Sequence, residues 1–435
     1  MGKNILKTIF GCLAVLIGAI LIACVLLIGV GILCPQTKMR QNLLKDVSYF
    51  QNQNDLNYLL GDDILSFAGD FPSDALMVKT CIYDGDESFL ERVFGDYHYV
   101  YEGYETDSDM RIILDLNRGW IDGETQIPSY VFQYGRYWHG YQIILKPLLC
   151  IFSWRDIVIL GLFVQIALFS ITLAEVIHKH GIWWGLPLLI LYFLINPVTI
   201  AMSFQYQSLF YITLCGILAL DSDLGGSKCK YNYVYIFLII GIMSSFFDFL
   251  TYPIVPVGVC AIWFTALKND ENFGNVIKRL ISIGLSWGAG YGLFWVSKWV
   301  ITFIVTGENI IANAGDSFAG YIDGAEESLI TVIKNNYAPL LKTPYVAVMI
   351  ICLLAVVVYL VRKGVVVNRI LIGLPILAIG ILPVIWYCFA TTHSYLHSYM
   401  THRDSTVTYF SIFMYLIYIS RTKVNNVTEI VDNNN

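Results

Sequence analysis

Three of the seven histidines fall within the ten residues 393–402. His393, His397 and His402 stand there beside Arg403 and Asp404. His393 and His397 are four apart, so they share one face of a helix. Two histidines at that spacing could bind zinc, but no third ligand stands nearby. A planar guanidinium among imidazoles suits phosphate or pyrophosphate better. An ordinary polar loop between two apolar stretches remains the plainer alternative. A second group is Arg136, Tyr137, Trp138, His139 and Tyr141, two cationic candidates inside an aromatic box. It runs into the apolar piece 143–149, too short to span a bilayer and expected to lie in the interface. Membrane proteins carry aromatic belts at that depth in any case.

Single ionisable residues complete the set. Asp74 precedes an apolar helical run and could act as a general base, or open a helix as its N-terminal acid. Asp248 stands among Phe246, Phe247, Phe249 and Tyr252 at the end of an apolar stretch. An ionisable group there is a functional candidate, with a helix cap before Pro253 as the alternative. Lys298, between Trp295 and Trp299, could offer a cation to an anionic headgroup or snorkel as an anchor. Asp84, Asp86 and Glu87 could hold a divalent cation, although the spacing is not that of a calcium loop and also fits a solvated acidic turn.

These residues need elements to hold them. The chain has 435 residues, 57% hydrophobic and 14% charged, with mean hydropathy +0.62. Soluble domains carry roughly 25% charged residues. An ordinary soluble enzyme, a nucleic-acid binder and a disordered chain are therefore excluded. Ten apolar stretches follow from hydropathy, near 9–34, 156–178, 182–203, 207–220, 232–247, 250–267, 281–304, 345–361, 370–390 and 405–420. Residues 35–150 hold 18 of the 33 acids and 9 of the 27 bases, a local net of −9, which leaves +3 elsewhere.

The expected class is an all-α polytopic membrane protein with about ten transmembrane helices and a large first extracytoplasmic loop. Its expected parts are an anchor helix over 1–34, the loop over 35–150, a multi-helix domain over 151–420 and a tail over 421–435. Lys3 and Lys7 place the N-terminus inside by the positive-inside rule. Alternation then puts Lys179, Lys228, Lys230, Lys268, Lys278, Arg279, Arg362, Lys363, Arg369, Arg421 and Lys423 inside as well. Both termini are thus expected in the cytoplasm. Leu21 to Cys24 loosely matches a lipoprotein cleavage site, but the apolar run continues to Cys34, which favours an uncleaved anchor. The ten cysteines lie mostly inside apolar stretches and form no disulfide framework. No phosphate-binding glycine loop and no internal repeat appears, which argues against ATP-driven and inverted-repeat transport.

Ser73-Asp74, Arg136 to Tyr141, Asp248 to Pro253, Lys298-Trp299 and the block from His393 to Arg403, in this order and on one expected side, resemble the GT-C class of integral-membrane glycosyltransferases. The likeness is strongest to a bacterial branch found in Gram-positive surface-polysaccharide contexts, and so to a bacterial plasma membrane. It implies inverting transfer from a polyprenyl-phosphate sugar to a glycan or lipid acceptor of the cell envelope. Carried onto this chain, Asp74 becomes the base, while Lys298, His393, His397 and Arg403 stabilise the departing lipid phosphate. Tyr137, Trp138 and Tyr141 would stack on sugar faces. Such enzymes often carry an acidic pair nearer the first span, so Asp62 and Asp63 compete with Asp74 for the base. His402 departs from the Tyr that the family pattern prefers before the Arg. A polysaccharide polymerase or ligase, a lipid-linked glycan flippase and a membrane scaffold are the competing readings. A polymerase usually has its large loop late in the chain, and a flippase needs polar groups through the spans, for which only Asp248 and Lys298 offer material.

Overall fold

Runs of apolar, helix-compatible residues must close their backbone hydrogen bonds internally if they face lipid, and helices dominate this chain. The computed structural model describes residues 2–46, 71–101, 129–222, 232–268, 272–310, 312 and 327–420. The chain starts with α1 (Gly2–Leu33), α2 (Gln36–Leu43) and a 3-10 turn at Leu44–Asp46. Next come α3 (Phe71–Ile82), α4 (Phe89–Gly95), strands β1 (Tyr97–Tyr101) and β2 (Ser129–Gln133), and α5 (Gln142–Ile151). The apolar part holds α6 (Trp154–His180), α7 (Ile182–Leu194), α8 (Pro197–Met202), α9 (Phe204–Asp221), α10 (Asn232–Phe247), α11 (Ile254–Leu267) and α12 (Phe273–Thr306). It ends with α13 (Leu329–Tyr337), α14 (Thr343–Lys363), α15 (Val367–Ile379), α16 (Leu382–Phe389), α17 (Thr391–Leu396), α18 (Ser398–Thr401) and α19 (Thr406–Ile419).

Helix covers each of the ten apolar stretches, with two of them broken. Among the described residues five segments are long and apolar enough to cross a membrane: 5–33, α6, α12, α14 and the run 367–389. The stretch at 182–203 splits where Asn196 takes φ 64° and its Oδ1 accepts the amides of Val198 and Thr199, so α8 starts afresh behind Pro197. The run 367–389 splits into α15 and α16, with Pro383 in the first turn of α16. The acidic segment 35–150 is not wholly helical. Tyr97, Tyr99 and Tyr101 alternate with His98 and Val100, a strand-forming pattern, and β1 pairs antiparallel with β2, Tyr97 facing Gln133 and Tyr101 facing Ser129. Asp62 and Asp63 lie outside the described residues.

The core is built around α11, which is buried from Ile254 through Ala266. A helix apolar all round belongs inside. Its neighbours include α9, α10 and α19. Helices α10 and α12 pack backbone to backbone at two glycines. A Cβ added to Gly241 would sit 2.3 Å from the Trp287 carbonyl oxygen, and one on Gly290 would sit 2.2 Å from that of Leu238. Backbone oxygens cannot swing away as a side-chain tip can. Gly290→Val should therefore force the two helices apart and lower stability by about 1–3 kcal/mol, read as a fall in unfolding temperature, whereas Gly284→Val, with open space around it, should not.

The N-terminus of α6 shows how the chain finishes its helix ends. Ser153 and Asp156 form a reciprocal capping box. Asp46, 109 residues away in sequence, also accepts the Arg155 amide at 2.7 Å. Free N–H groups and the helix dipole both favour a carboxylate there.

Candidate functional site

The segment Asp248–Pro253, between α10 and α11, is where the sequence-derived candidates meet. Its turn is shaped by Asp248, whose oxygens accept the Thr251 amide at 3.2 and 3.1 Å and the Thr251 hydroxyl. Leu250 is held at φ 65°. The Phe249 ring packs against Tyr137 (5.4 Å between centroids), His139 (4.9 Å) and Tyr141 (5.5 Å). The Gly140 amide donates to the Phe246 carbonyl at 2.8 Å, an approach that a Cβ on Gly140 would block at 2.5 Å from the same oxygen. His393, from α17, bonds the Leu250 carbonyl through Nε2 at 2.9 Å. The aromatic box and the histidine block, more than 250 residues apart in the chain, thus share one turn.

The carboxylates come next. Asp74, at the start of α3, is fully buried. Its Oδ2 accepts the Phe204 amide at 3.2 Å and its Oδ1 the Gln205 amide at 3.1 Å. It therefore sits on the N-terminus of α9, and not only in the first turn of its own helix. Gln205 reaches on through Nε2 to Asp248 Oδ1 at 3.3 Å. One glutamine thus joins the two acids. Burial pushes the Asp248 carboxyl up to about 7, against the opposing pull of its Thr251 bonds.

Arg403 lies in the turn before α19 and is fully buried. Its Nη1 donates to the Tyr399 carbonyl at 2.9 Å and its Nη2 to Thr199 Oγ1 at 2.9 Å. The guanidinium carbon stands 3.8 Å over the Tyr206 ring. Among the described residues it has no carboxylate within ion-pair distance. Its sequence neighbour Asp404 is turned elsewhere, Oδ1 accepting the Ile254 amide at 3.0 Å on the N-terminus of α11. Burial also holds the Asp404 carboxyl well above the usual range. Arg403 is therefore a buried cation that the described protein leaves uncompensated.

The histidines are not cations. Burial pushes His393 and His139 each down to about 4, so both are neutral near pH 7. His139 also has both ring nitrogens engaged, Nδ1 with the Tyr141 hydroxyl and Nε2 with the Tyr134 carbonyl. His397 is half-buried, with its ring 4.8 Å from that of His393. Arg136 is half-buried, its guanidinium carbon 4.8 Å over the Tyr134 ring. Its carbonyl takes the indole N–H groups of both Trp295 and Trp299, at 2.6 and 2.9 Å.

Lys298 and Trp138 stand apart from this site. Lys298 Nζ is 2.6 Å from Asp96 Oδ2 and 2.7 Å from the Phe94 carbonyl, and both charged side chains are fully buried. Gln142 completes the pair by donating to Asp96 Oδ1 at 2.6 Å. Neither snorkelling nor a headgroup contact is needed to explain this lysine. Trp138 is fully buried, stacked on Phe294 at 4.7 Å with its indole N–H on the Phe294 carbonyl. Tyr137 and Tyr141 are buried too, so the box packs the core under the turn instead of lying open at headgroup depth.

The acidic turn does not gather a cation site. Asp84 pairs with Arg40 at 2.7 Å and Glu87 accepts the Tyr83 hydroxyl. Among the described residues no three His, Cys, Asp or Glu side chains converge as metal ligands. Asp96 and Gln205 are the members that sequence reasoning missed. Gln205 was detectable as a polar residue interrupting the apolar run around α9, while Asp96 had no local signal at all.

A groove of about 310 Å³ lies beside the site, between α5, α6, α9 and the end of α10. Comparison with known protein families, characterised proteins and solved structures finds no match to this chain.

Proposed function

We propose that this chain is a membrane glycosyltransferase that moves a sugar from a polyprenyl-phosphate donor to a hydroxyl of a glycan or lipid acceptor. One observation carries the reading. An uncompensated buried guanidinium, Arg403, rests on Tyr206, the residue next to the Gln205 that joins Asp74 to Asp248. A cation for a departing phosphate and an acid for a hydroxyl proton thus meet at one end of an apolar helix bundle.

The base in this proposal is Asp248. A carboxyl poised near neutral pH accepts a proton well and releases it again, and burial pushes the Asp248 carboxyl up to about 7. Asp74 acts as the positioning residue that fixes Gln205 and, through it, Asp248. Arg403 stabilises the charge on the leaving lipid phosphate, with neutral His393 and His397 as hydrogen-bonding neighbours and Arg136 as a second cation. Ten crossings follow if α7–α8, α9, α10, α11 and α19 each cross beside the five long segments. The site then faces outward from a bacterial plasma membrane, with both termini in the cytoplasm.

The test is transfer from a radiolabelled polyprenyl-phosphate hexose in membranes containing wild type, Asp248→Asn or Asp74→Asn. Asp248→Asn should lose about 10²–10⁴-fold in rate at unchanged protein level, and Asp74→Asn less. The wild-type rate should climb as pH rises through about 7, because only the ionised carboxylate takes a proton. A flat profile, or full activity in Asp248→Asn, removes Asp248 from the role. No consumption of any polyprenyl-phosphate sugar sinks the transferase reading.

A further inference from the structure

The groove beside α9 has a chemistry of its own. Ile144, Leu148, Leu160 and Val164 form much of its wall, and three of these are also exposed on the outside of the bundle, so it opens toward the surrounding apolar phase. No charged side chain lines it, and its polar members, Tyr141, Gln205, Gln207, Ser208 and Tyr211, are phenols, amides and one hydroxyl. Tyr211 and Gln207 are turned on each other and on the Gly161 and Ala201 carbonyls. Gln205 differs. Its Nε2 is committed to Asp248, while its Oε1 is buried with no hydrogen-bond partner among the described residues.

Helix geometry separates this groove from the cation. At 3.6 residues per turn, Phe204, Gln207, Ser208 and Tyr211 share one face of α9, and all four line the groove. Tyr206 points to the opposite face and carries Arg403 there. The first turn of α9 therefore stands between groove and guanidinium. A phosphate at the polar end of the groove would find no cation in the lining, a costly arrangement in a dry site. A hydroxyl there needs only an acceptor oxygen, and Gln205 Oε1 is one without a partner among the described residues.

We infer that the groove binds one hydrocarbon chain of a neutral, hydroxyl-bearing lipid, and not the phosphate-bearing donor. Naming that lipid the acceptor rests on the transferase reading; its binding does not. The head is selected by what it lacks, a negative charge, and by the hydrogen bond it donates to Gln205.

The experiment uses the full chain in phosphatidylcholine nanodiscs with a dioleoylglycerol analogue bearing a photoreactive diazirine on one acyl chain. Adducts should map to α5, α6 and α9. Excess dioleoylglycerol should reduce them about tenfold, one decade of competition, and undecaprenyl phosphate should leave them unchanged. Val164→Trp, which fills the groove from a partly exposed position, should abolish them. Equal or better competition by undecaprenyl phosphate overturns the inference, since the groove would then accept an anionic head. Adducts that survive Val164→Trp overturn it too. Sugar transfer measured on the same nanodiscs separates the two claims. Transfer without groove labelling defeats only the lipid site, and groove labelling without transfer defeats only the transferase.

Discussion

Lys298→Met should destabilise the folded chain by about 3–5 kcal/mol, the usual penalty for removing one partner of a buried ion pair. The substitution shortens the unbranched side chain by one atom, so its stem still packs against Phe94 and Trp138. What it leaves behind is Asp96, fully buried, with only Gln142 to answer its charge. Asp96→Asn should fall in the same range for the mirror reason, an ammonium with no counter-charge. The pair joins α12 to the end of α4, elements 202 residues apart, so its loss loosens the outer segment from the bundle. Combining Lys298→Met with Asp96→Leu should recover most of the stability, because no buried charge remains. Unfolding temperatures of the two single variants and the double variant in one detergent check this. Equal stability of Lys298→Met and wild type would mean that the pair is not formed in the membrane.

The same substitution at Arg403 should do the opposite. Arg403→Met strands no carboxylate, since no described carboxylate pairs with the guanidinium. It removes a buried charge and lets an apolar side chain lie on the Tyr206 ring. The Tyr399 carbonyl and the Thr199 hydroxyl lose a donor, but Thr199 keeps its bond to the Asn196 carbonyl. Stability should be unchanged or raised, as when other buried charges give way to apolar residues. Sugar transfer should nevertheless drop about 10²–10³-fold, the usual loss when one stabilising donor is removed from a developing negative charge. If Arg403→Met unfolds as readily as Lys298→Met, the guanidinium is structural and the phosphate role fails.

The helix-end carboxylates explain why isolated motifs mislead in this chain. Asp46, Asp74 and Asp404 each accept amide hydrogens at the N-terminus of a distant helix, α6, α9 and α11 in turn. Asp74 also stands in the first turn of a helix of its own, so local reading of it offers either a cap or a catalyst. The structure adds a third use, a tie between two elements that also neutralises a helix dipole. Asp248 escapes that use because the helix it precedes is already served by Asp404.

Hydropathy alone located every apolar stretch that is helical, because a backbone in an apolar medium has to bond to itself and a run of that length leaves helix as the solution. Composition alone also separated the acidic segment from the apolar remainder, and aromatic and basic clustering flagged the turn at Asp248 and the block ending in Arg403. Local pattern cannot state which partner a charge will have. Lys298 looks like Arg403 in sequence, a cation beside aromatics near the end of an apolar stretch. One is matched by Asp96 and the other by no carboxylate, and that difference is created when helices far apart in the chain pack together. Burial then assigns the protonation states, leaving two histidines neutral and one aspartate near neutrality, because desolvation depends on neighbours that arrive from elsewhere in the chain.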